Sequence, residues 1–152
     1  MLAGITTWAE IDLDAIAANV SAFKKHVGEQ VEVIAVVKAN AYGHGAVPVA
    51  KAALEAGATR LAVHRAAEGV ELRRAGVEAP VLIMGYTPPE GAQAVVRWRL
   101  TPSLINAEVG RALVERAQPE ARTGRDGVQL GGALVERRRA AEQAHITRML
   151  RP

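Results

Sequence analysis

A lone lysine stands where an apolar stretch gives way to a glycine-punctuated loop, in the run Val36-Val37-Lys38-Ala39-Asn40-Ala41-Tyr42-Gly43-His44-Gly45. An amine emerging from an apolar wall is partly desolvated and can serve as a nucleophile toward aldehydes. Gly43 and Gly45 let backbone approach a ligand closely, a helix starting just beyond them offers unpaired N–H groups to an anion, and Tyr42 puts a phenol within reach. A lysine beside an anion-binding loop is what pyridoxal phosphate requires. The amine takes the aldehyde as a Schiff base, the phosphate is anchored elsewhere, and the ring becomes an electron sink for a carbanion at a substrate Cα. Taken alone, a lysine after a strand is also an ordinary surface residue; the flanking residues favour the chemical reading.

The other candidates are weaker. His44 could be a base or a metal ligand, but no second histidine or carboxylate stands at ligand spacing around it, and His26, His64 and His145 are isolated, so no metal is expected. Tyr86, just past an apolar run, is either a pocket wall facing the same way as Lys38 or a turn tyrosine packed on Pro88 or Pro89. Arg137-Arg138-Arg139 could touch phosphates, yet Glu136 and Glu142 flank it and no aromatic is near to stack on bases. A solvated helix face is the expectation there, with no nucleic-acid partner.

For Lys38 to stand at the mouth of a site, a buried strand must end beside it. Residues 31–37 are nearly all apolar and largely β-branched, as in a parallel strand covered on both faces. Upstream, residues 8–12 alternate apolar and acidic like a half-exposed strand, and Asp12 or Asp14 can cap a helix beginning there. Leu13, Ile16, Ala17, Val20 and Phe23 mark the inner face of that helix, which Gly28 stops. Downstream, Pro48 falls in the first turn of a helix closed by Gly57. Residues 61–63 read as a short strand, 67–75 as a helix with Val70 and Leu72 inward, and 80–84 as another buried strand. Thr87 is a candidate cap for a helix carrying Ala92, Val95 and Val96. A strand at 100–104 is compromised by Pro102, and a last helix runs from Ala107 to near Arg116. Strand–helix units recurring at roughly 20-residue spacing argue for parallel strands joined by right-handed crossovers.

Composition agrees with a globular domain: 49% of the 152 residues are hydrophobic and 23% charged. A complete eight-stranded α/β barrel typically takes about 250 residues, so only part of one is expected. No cysteine is present, which excludes disulfides and thiolate metal sites and fits a reducing compartment. No basic leader followed by an apolar stretch opens the sequence, and no apolar run approaches the roughly 20 residues of a membrane span, so a cytoplasmic protein is expected. The net charge of +3 belongs to the arginine-rich residues from Gln118 onward, and a neutral body gives no reason to expect nucleic-acid binding.

The run from Ala35 to Gly45 resembles the pyridoxal-phosphate attachment motif of the alanine racemases. Trp8-Ala9-Glu10-Ile11-Asp12-Leu13 followed by Asn19-Val20 is similar to the opening of that family. Ala66-Ala67-Glu68-Gly69-Val70-Glu71-Leu72-Arg73, Gly76 and Gly85-Tyr86-Thr87-Pro88 come next in family-like order, so that the resemblance covers about residues 5–116. With the residue patterns, it implies an α/β fold: a partial (β/α) TIM-type barrel of about four β/α units, preceded by an N-terminal strand and helix and followed by a helical arginine-rich tail. The expected division is 1–117 as the N-terminal half of a cofactor-binding barrel and 118–152 as a linker and helix of unassigned origin. The resemblance further implies that Lys38 holds pyridoxal 5'-phosphate as an internal aldimine and acts as one of two bases, that Tyr42 helps hold the phosphate, and that a homodimer interconverts L- and D-alanine for peptidoglycan.

Racemisation needs a second base on the opposite face of the substrate Cα, and in this family a tyrosine of a C-terminal β domain from the partner subunit supplies it. The two tyrosines here, Tyr42 and Tyr86, match neither that domain nor that position. Where the family continues into a Lys-Val-Asp-Thr-Gly-Met-Gly-Arg-like strand, this sequence has Gln118-Pro119 and the arginine-rich stretch, so a truncated or frame-altered gene is expected. Three readings are compatible with these residues: an alanine racemase represented by its N-terminal half, a non-catalytic cofactor-binding fragment, or a half-barrel interaction module whose strand edges pair with another chain.

Overall fold

The computed structural model describes residues 7–117, so the expected arginine-rich linker and helix lie outside the described residues. Its eleven elements are, in order, α1 (Leu13–Val27), β1 (Ile34–Val36), α2 (Lys38–Tyr42), α3 (Ala46–Glu55), β2 (Arg60–Val63), α4 (Ala66–Arg74), β3 (Val81–Ile83), a 3-10 turn (Pro89–Gly91), α5 (Ala92–Arg97), β4 (Thr101–Pro102) and α6 (Ala107–Ala117). The four strands form one sheet in the order β1-β2-β3-β4, every pair parallel. Four parallel strands alternating with helices are half the strand complement of an eight-stranded barrel. None of the described helices is long and apolar enough to cross a membrane.

Register divides the sheet into two unequal faces. Val36, Ala62, Leu82 and Thr101 are paired across the strands on one face, while Ala35, Leu61 and Val81, and then Val37, Val63 and Ile83, share the other. The second face is covered. Val37, Leu61, Val63, Val81 and Ile83 are fully buried and cluster with Val49 and Ala50 of α3, Leu72 of α4 and Val95 of α5. On the first face Ile34 and Val36 remain 42% and 37% exposed, which corrects the expectation of a strand covered on both sides. β1 is an edge strand, whereas Ala62 of the neighbouring β2, on the same face, is buried.

Local signals explain the helix limits. Asp12 Oδ1 accepts the Ala15 N–H at 2.9 Å to cap α1, and Gly28 ends it at φ 83°. The inner stripe runs through Leu13, Ile16, Ala17 and Val20 but continues to Lys24, with Phe23 66% exposed. Lys24 lies on that face because its ammonium donates to the carbonyls of Gly28, Glu29 and Val31 at 3.3, 3.1 and 3.0 Å, closing the helix end while its stem packs near Gly57. Arg73 does comparable work beneath the sheet, donating to the carbonyls of Val77, Ala79, Trp98 and Arg99.

Two further expectations are corrected. Residues 8–12 pair with no strand among the described residues and are exposed on both faces of their alternation, Trp8 donating instead to Glu10 at 3.0 Å. Alternation there marks extended backbone that lacks an edge to join. Thr87 does not cap the turn beyond it: Pro88 holds the cap position, and the Thr87 hydroxyl is buried without a partner. The proline after it starts the turn one residue later than the hydroxyl could serve.

Candidate functional site

The last ladder bond of β1 runs from the Val37 N–H to the Ala62 carbonyl at 2.8 Å, and Lys38 comes next, at the C-terminal edge of the sheet. The chain then turns with the wrong hand. Ala39, Asn40, Ala41 and Tyr42 all have positive φ, between 50° and 55°, so α2 is a left-handed turn built without glycine. Each ordinary residue held there costs about 1–2 kcal/mol, and such residues normally occur singly. Four in succession persist only where surrounding structure over-determines them, which is common at functional sites.

Specific bonds hold this turn. Internally, the Ala41 N–H donates to Val37 O at 3.0 Å, Gly43 to Ala39 O at 3.1 Å and Gly45 to Asn40 O at 2.9 Å. The Asn40 side chain accepts the Ala46 N–H at 2.7 Å, fastening the turn to the start of α3. His44 Nδ1 lies 2.9 Å from Ala41 O, a bond that needs the proton on Nδ1. Gly45 enters α3 at φ 92°, and a Cβ there would meet Pro48 Cγ at 3.0 Å, so glycine is required for both reasons. From outside the loop, Glu68 Oε1 accepts the Ala39 N–H at 2.8 Å across 29 residues of sequence.

One consequence of the turn is that Lys38 and Tyr42 meet, with Nζ 5.9 Å from the ring centroid. Lys38 is half-buried and Tyr42 is exposed. The two ion pairs among the described residues are Lys24–Glu29 and Arg60–Glu32, so neither engages the Lys38 amine. A half-buried, uncommitted amine with an exposed phenol beside it, at the C-terminal edge of a parallel sheet, suits a cofactor that carries an aldehyde and an anionic group. Met84, two residues beyond Leu82 on the open face, is 39% exposed and brings an apolar surface to the same edge of the sheet.

Tyr86 lines a cavity of about 330 Å³ with His64, Arg65, Ala66, Thr87, Pro88 and Gly91, whose walls include neither Lys38 nor Tyr42. Beside that cavity the chain just beyond β2 and β3 is tightly packed: a Cβ on Gly85 would fall 2.5 Å from the His64 carbonyl oxygen. Among the described residues no three His, Asp or Glu side chains come together as a metal site would need.

Glu68 was visible in the sequence only as part of a run, and its role emerges from the structure. Its Oε2 accepts the N–H groups of His64 at 2.7 Å and Arg65 at 2.9 Å in the first turn of α4. Burial pushes its pKa up, but the N–H groups of Arg65, Ala39 and His64, with the nearby His64 ring, outweigh that and leave it below the ordinary carboxylate range. A carboxyl that binds its proton less readily folded than unfolded stabilises the fold above the ordinary carboxylate pKa, and that stabilisation is lost as pH falls through the lower, folded value. The melting temperature is therefore expected to drop on acidification through this range, and Glu68→Gln to remove that part of the drop. A slope identical in both proteins would show that this carboxylate carries no such linkage.

Comparison with known proteins comes down on one family. Residues 11–130 match the family described as the alanine racemase N-terminal domain. The chain is 49% identical over 111 residues to an alanine racemase of Desulforamulus reducens, covering 73% of this chain and 30% of that relative. In three dimensions it is similar to alanine racemase from Bacillus anthracis solved with bound L-Ala-P, with a TM-score of 0.71 and 38% identity over 92% of this chain and 39% of the other. It is also similar to a histidine racemase from Leuconostoc mesenteroides, with a TM-score of 0.64 and 28% identity over 72% of this chain and 29% of the other. The chain thus spans about three-tenths of the length of the curated relative.

Proposed function

The chain belongs to the family of the alanine racemase N-terminal domain, and from that premise we propose that it carries the cofactor-binding half of an enzyme interconverting L- and D-alanine. The observation that carries the proposal is the left-handed turn after β1, which sets Lys38 Nζ beside the Tyr42 ring in a chain so close to known alanine racemases. Pyridoxal 5'-phosphate, when bound, supplies the electron sink that makes the Cα proton of an amino acid removable. Lys38 would hold the aldehyde through its amine and would take or return a proton at the substrate Cα on one face. Tyr42 orients the phosphate through its phenol. Exposed Val36 of β1 and Met84, just beyond β3, would offer the cofactor an apolar surface.

The opposite-face base comes from outside residues 7–117, whose two tyrosines are Tyr42, read here as a phosphate contact, and Tyr86, which lines a cavity whose walls do not include Lys38. On this reading it arrives from the C-terminal domain of the partner subunit in a homodimer of the longer enzyme, in the cytoplasm. A second reading, in which the chain alone binds the cofactor without turning over, draws on its covering only 30% of the length of its relative. Assaying D-alanine formed from L-alanine by the 152-residue chain with saturating cofactor separates the two: slow formation above the cofactor-only background supports the first, and none supports the second. Absence of a second base costs about 10²–10⁴ in rate. A turnover within tenfold of a complete alanine racemase would refute the need for an outside base, and a chain that never alters the cofactor's absorbance would refute the proposal itself.

A further inference from the structure

The Glu68 carboxylate ties together two pieces that the sheet leaves separate. One oxygen closes the first turn of α4 through the His64 and Arg65 N–H groups, and the other reaches the Ala39 N–H in the turn that presents Lys38. We propose that Glu68 is a positioning residue for Lys38, holding through the Ala39 amide the left-handed turn that sets the lysine's amine and Tyr42 side by side. The inference rests on the reading of Lys38 as the amine that takes the cofactor.

The peptide in question joins Lys38 to Ala39, so its orientation fixes both the ψ of Lys38 and the φ of Ala39. Ala39 is held at φ 50°, where its Cβ is unfavourable. The first bond within the turn belongs to Ala41, which leaves the Ala39 N–H without an acceptor inside its own element, as at the start of any helical turn. Glu68 supplies that acceptor at 2.8 Å, and with a charged oxygen. Without it the Ala39 N–H has no acceptor, the remaining bonds of the turn alone oppose the return of Ala39 to a right-handed or extended conformation, and Tyr42 is held less firmly beside Lys38.

Glu68→Gln distinguishes this role from the capping of α4. A glutamine has one acceptor oxygen in place of two, and the paired donors of His64 and Arg65 compete for it better than the single donor of Ala39. The amide NH₂ then faces the Ala39 N–H, donor against donor, so the cap survives while the tie to Ala39 is lost. Ala39→Gly supplies the rescue, because glycine adopts φ 50° without the Cβ penalty and needs the tie less.

Two readouts on the full chain test the proposal. Amide exchange of Ala39, measured with no cofactor present, is expected to speed up about tenfold or more in Glu68→Gln, the size of losing one hydrogen bond to a charged acceptor, while the α4 amides exchange as before. Borohydride fixation at sub-saturating pyridoxal phosphate, mapped by peptide mass, is expected to mark Lys38 several-fold less in Glu68→Gln and to recover when Ala39→Gly is added. Equal marking of Lys38 in the wild-type chain and Glu68→Gln, or a loss that Ala39→Gly does not relieve, would overturn the positioning role alone. A wild-type chain that is never marked would instead remove the cofactor reading on which it rests, whatever Ala39 exchange shows.

Discussion

Lys38→Ala is expected to abolish the visible absorbance that pyridoxal phosphate acquires on mixing with this protein, together with any racemisation. The chain contains three other lysines, and their surroundings set the background against which the loss is read. Lys24 is spent on three carbonyls at the end of α1, and Lys25 and Lys51 stand exposed on helices without a neighbouring phenol. Any aldehyde they capture is held by one bond alone, without the fixed geometry that Lys38 receives from its turn, and effective molarity is what separates an oriented amine from a free one. Lys38→Arg sharpens the result, because it keeps the charge beside Tyr42 and removes the nucleophile. Absorbance retained at the wild-type level in either variant would mean that another residue takes the aldehyde.

The second large effect is structural. Gly85→Ala places a methyl group 2.5 Å from the His64 carbonyl oxygen, closer than non-bonded atoms approach, and 2.7 Å from the His64 ring. The oxygen cannot step aside cheaply. It accepts the Gly85 N–H at 3.1 Å, and the adjoining His64 N–H is held by Glu68, so β2 and β3 would have to separate at their C-terminal ends, where Glu68 is tied to the lysine turn. Overpacking of this kind costs typically about 1–3 kcal/mol. In a domain whose total stability is on the order of 5–15 kcal/mol, that is a substantial fraction. Thermal melting should show it directly, with the Ala39 amide exchanging faster as the Glu68 tie is strained. A melting temperature within a degree of wild type would mean that the strand ends are looser than their packing indicates.

Much of this arrangement could be read from residue order alone. Gly28, Gly57 and Gly76 end α1, α3 and α4 at positive φ because a residue free of Cβ is cheapest there, and the strands at 61–63 and 81–83 were legible as short apolar runs between such stops. Lys38 and Tyr42 stand four residues apart in one motif, and the turn sets the amine 5.9 Å from the ring centroid. The features that escaped depend on partners distant in sequence. A periodicity of three and four sees Phe23 as the next apolar residue, whereas the three carbonyls beyond the helix end draw Lys24 inward instead. The exposure of Ile34 and Val36 is invisible in their composition, since apolar runs do not say whether a second layer lies over them. No propensity would place Ala39, Ala41 and Tyr42 in left-handed backbone, because the bonds that hold them come from Asn40 reaching to Ala46 and from Glu68, 29 residues from Ala39.

The most direct measurement is the position of the mark left when the protein is loaded with pyridoxal phosphate, reduced with borohydride and mapped by peptide mass. A single pyridoxyl group on Lys38 is the expected result. Marks spread over Lys24, Lys25 and Lys51, or none at all, would contradict the assignment of Lys38 as the amine that holds the cofactor.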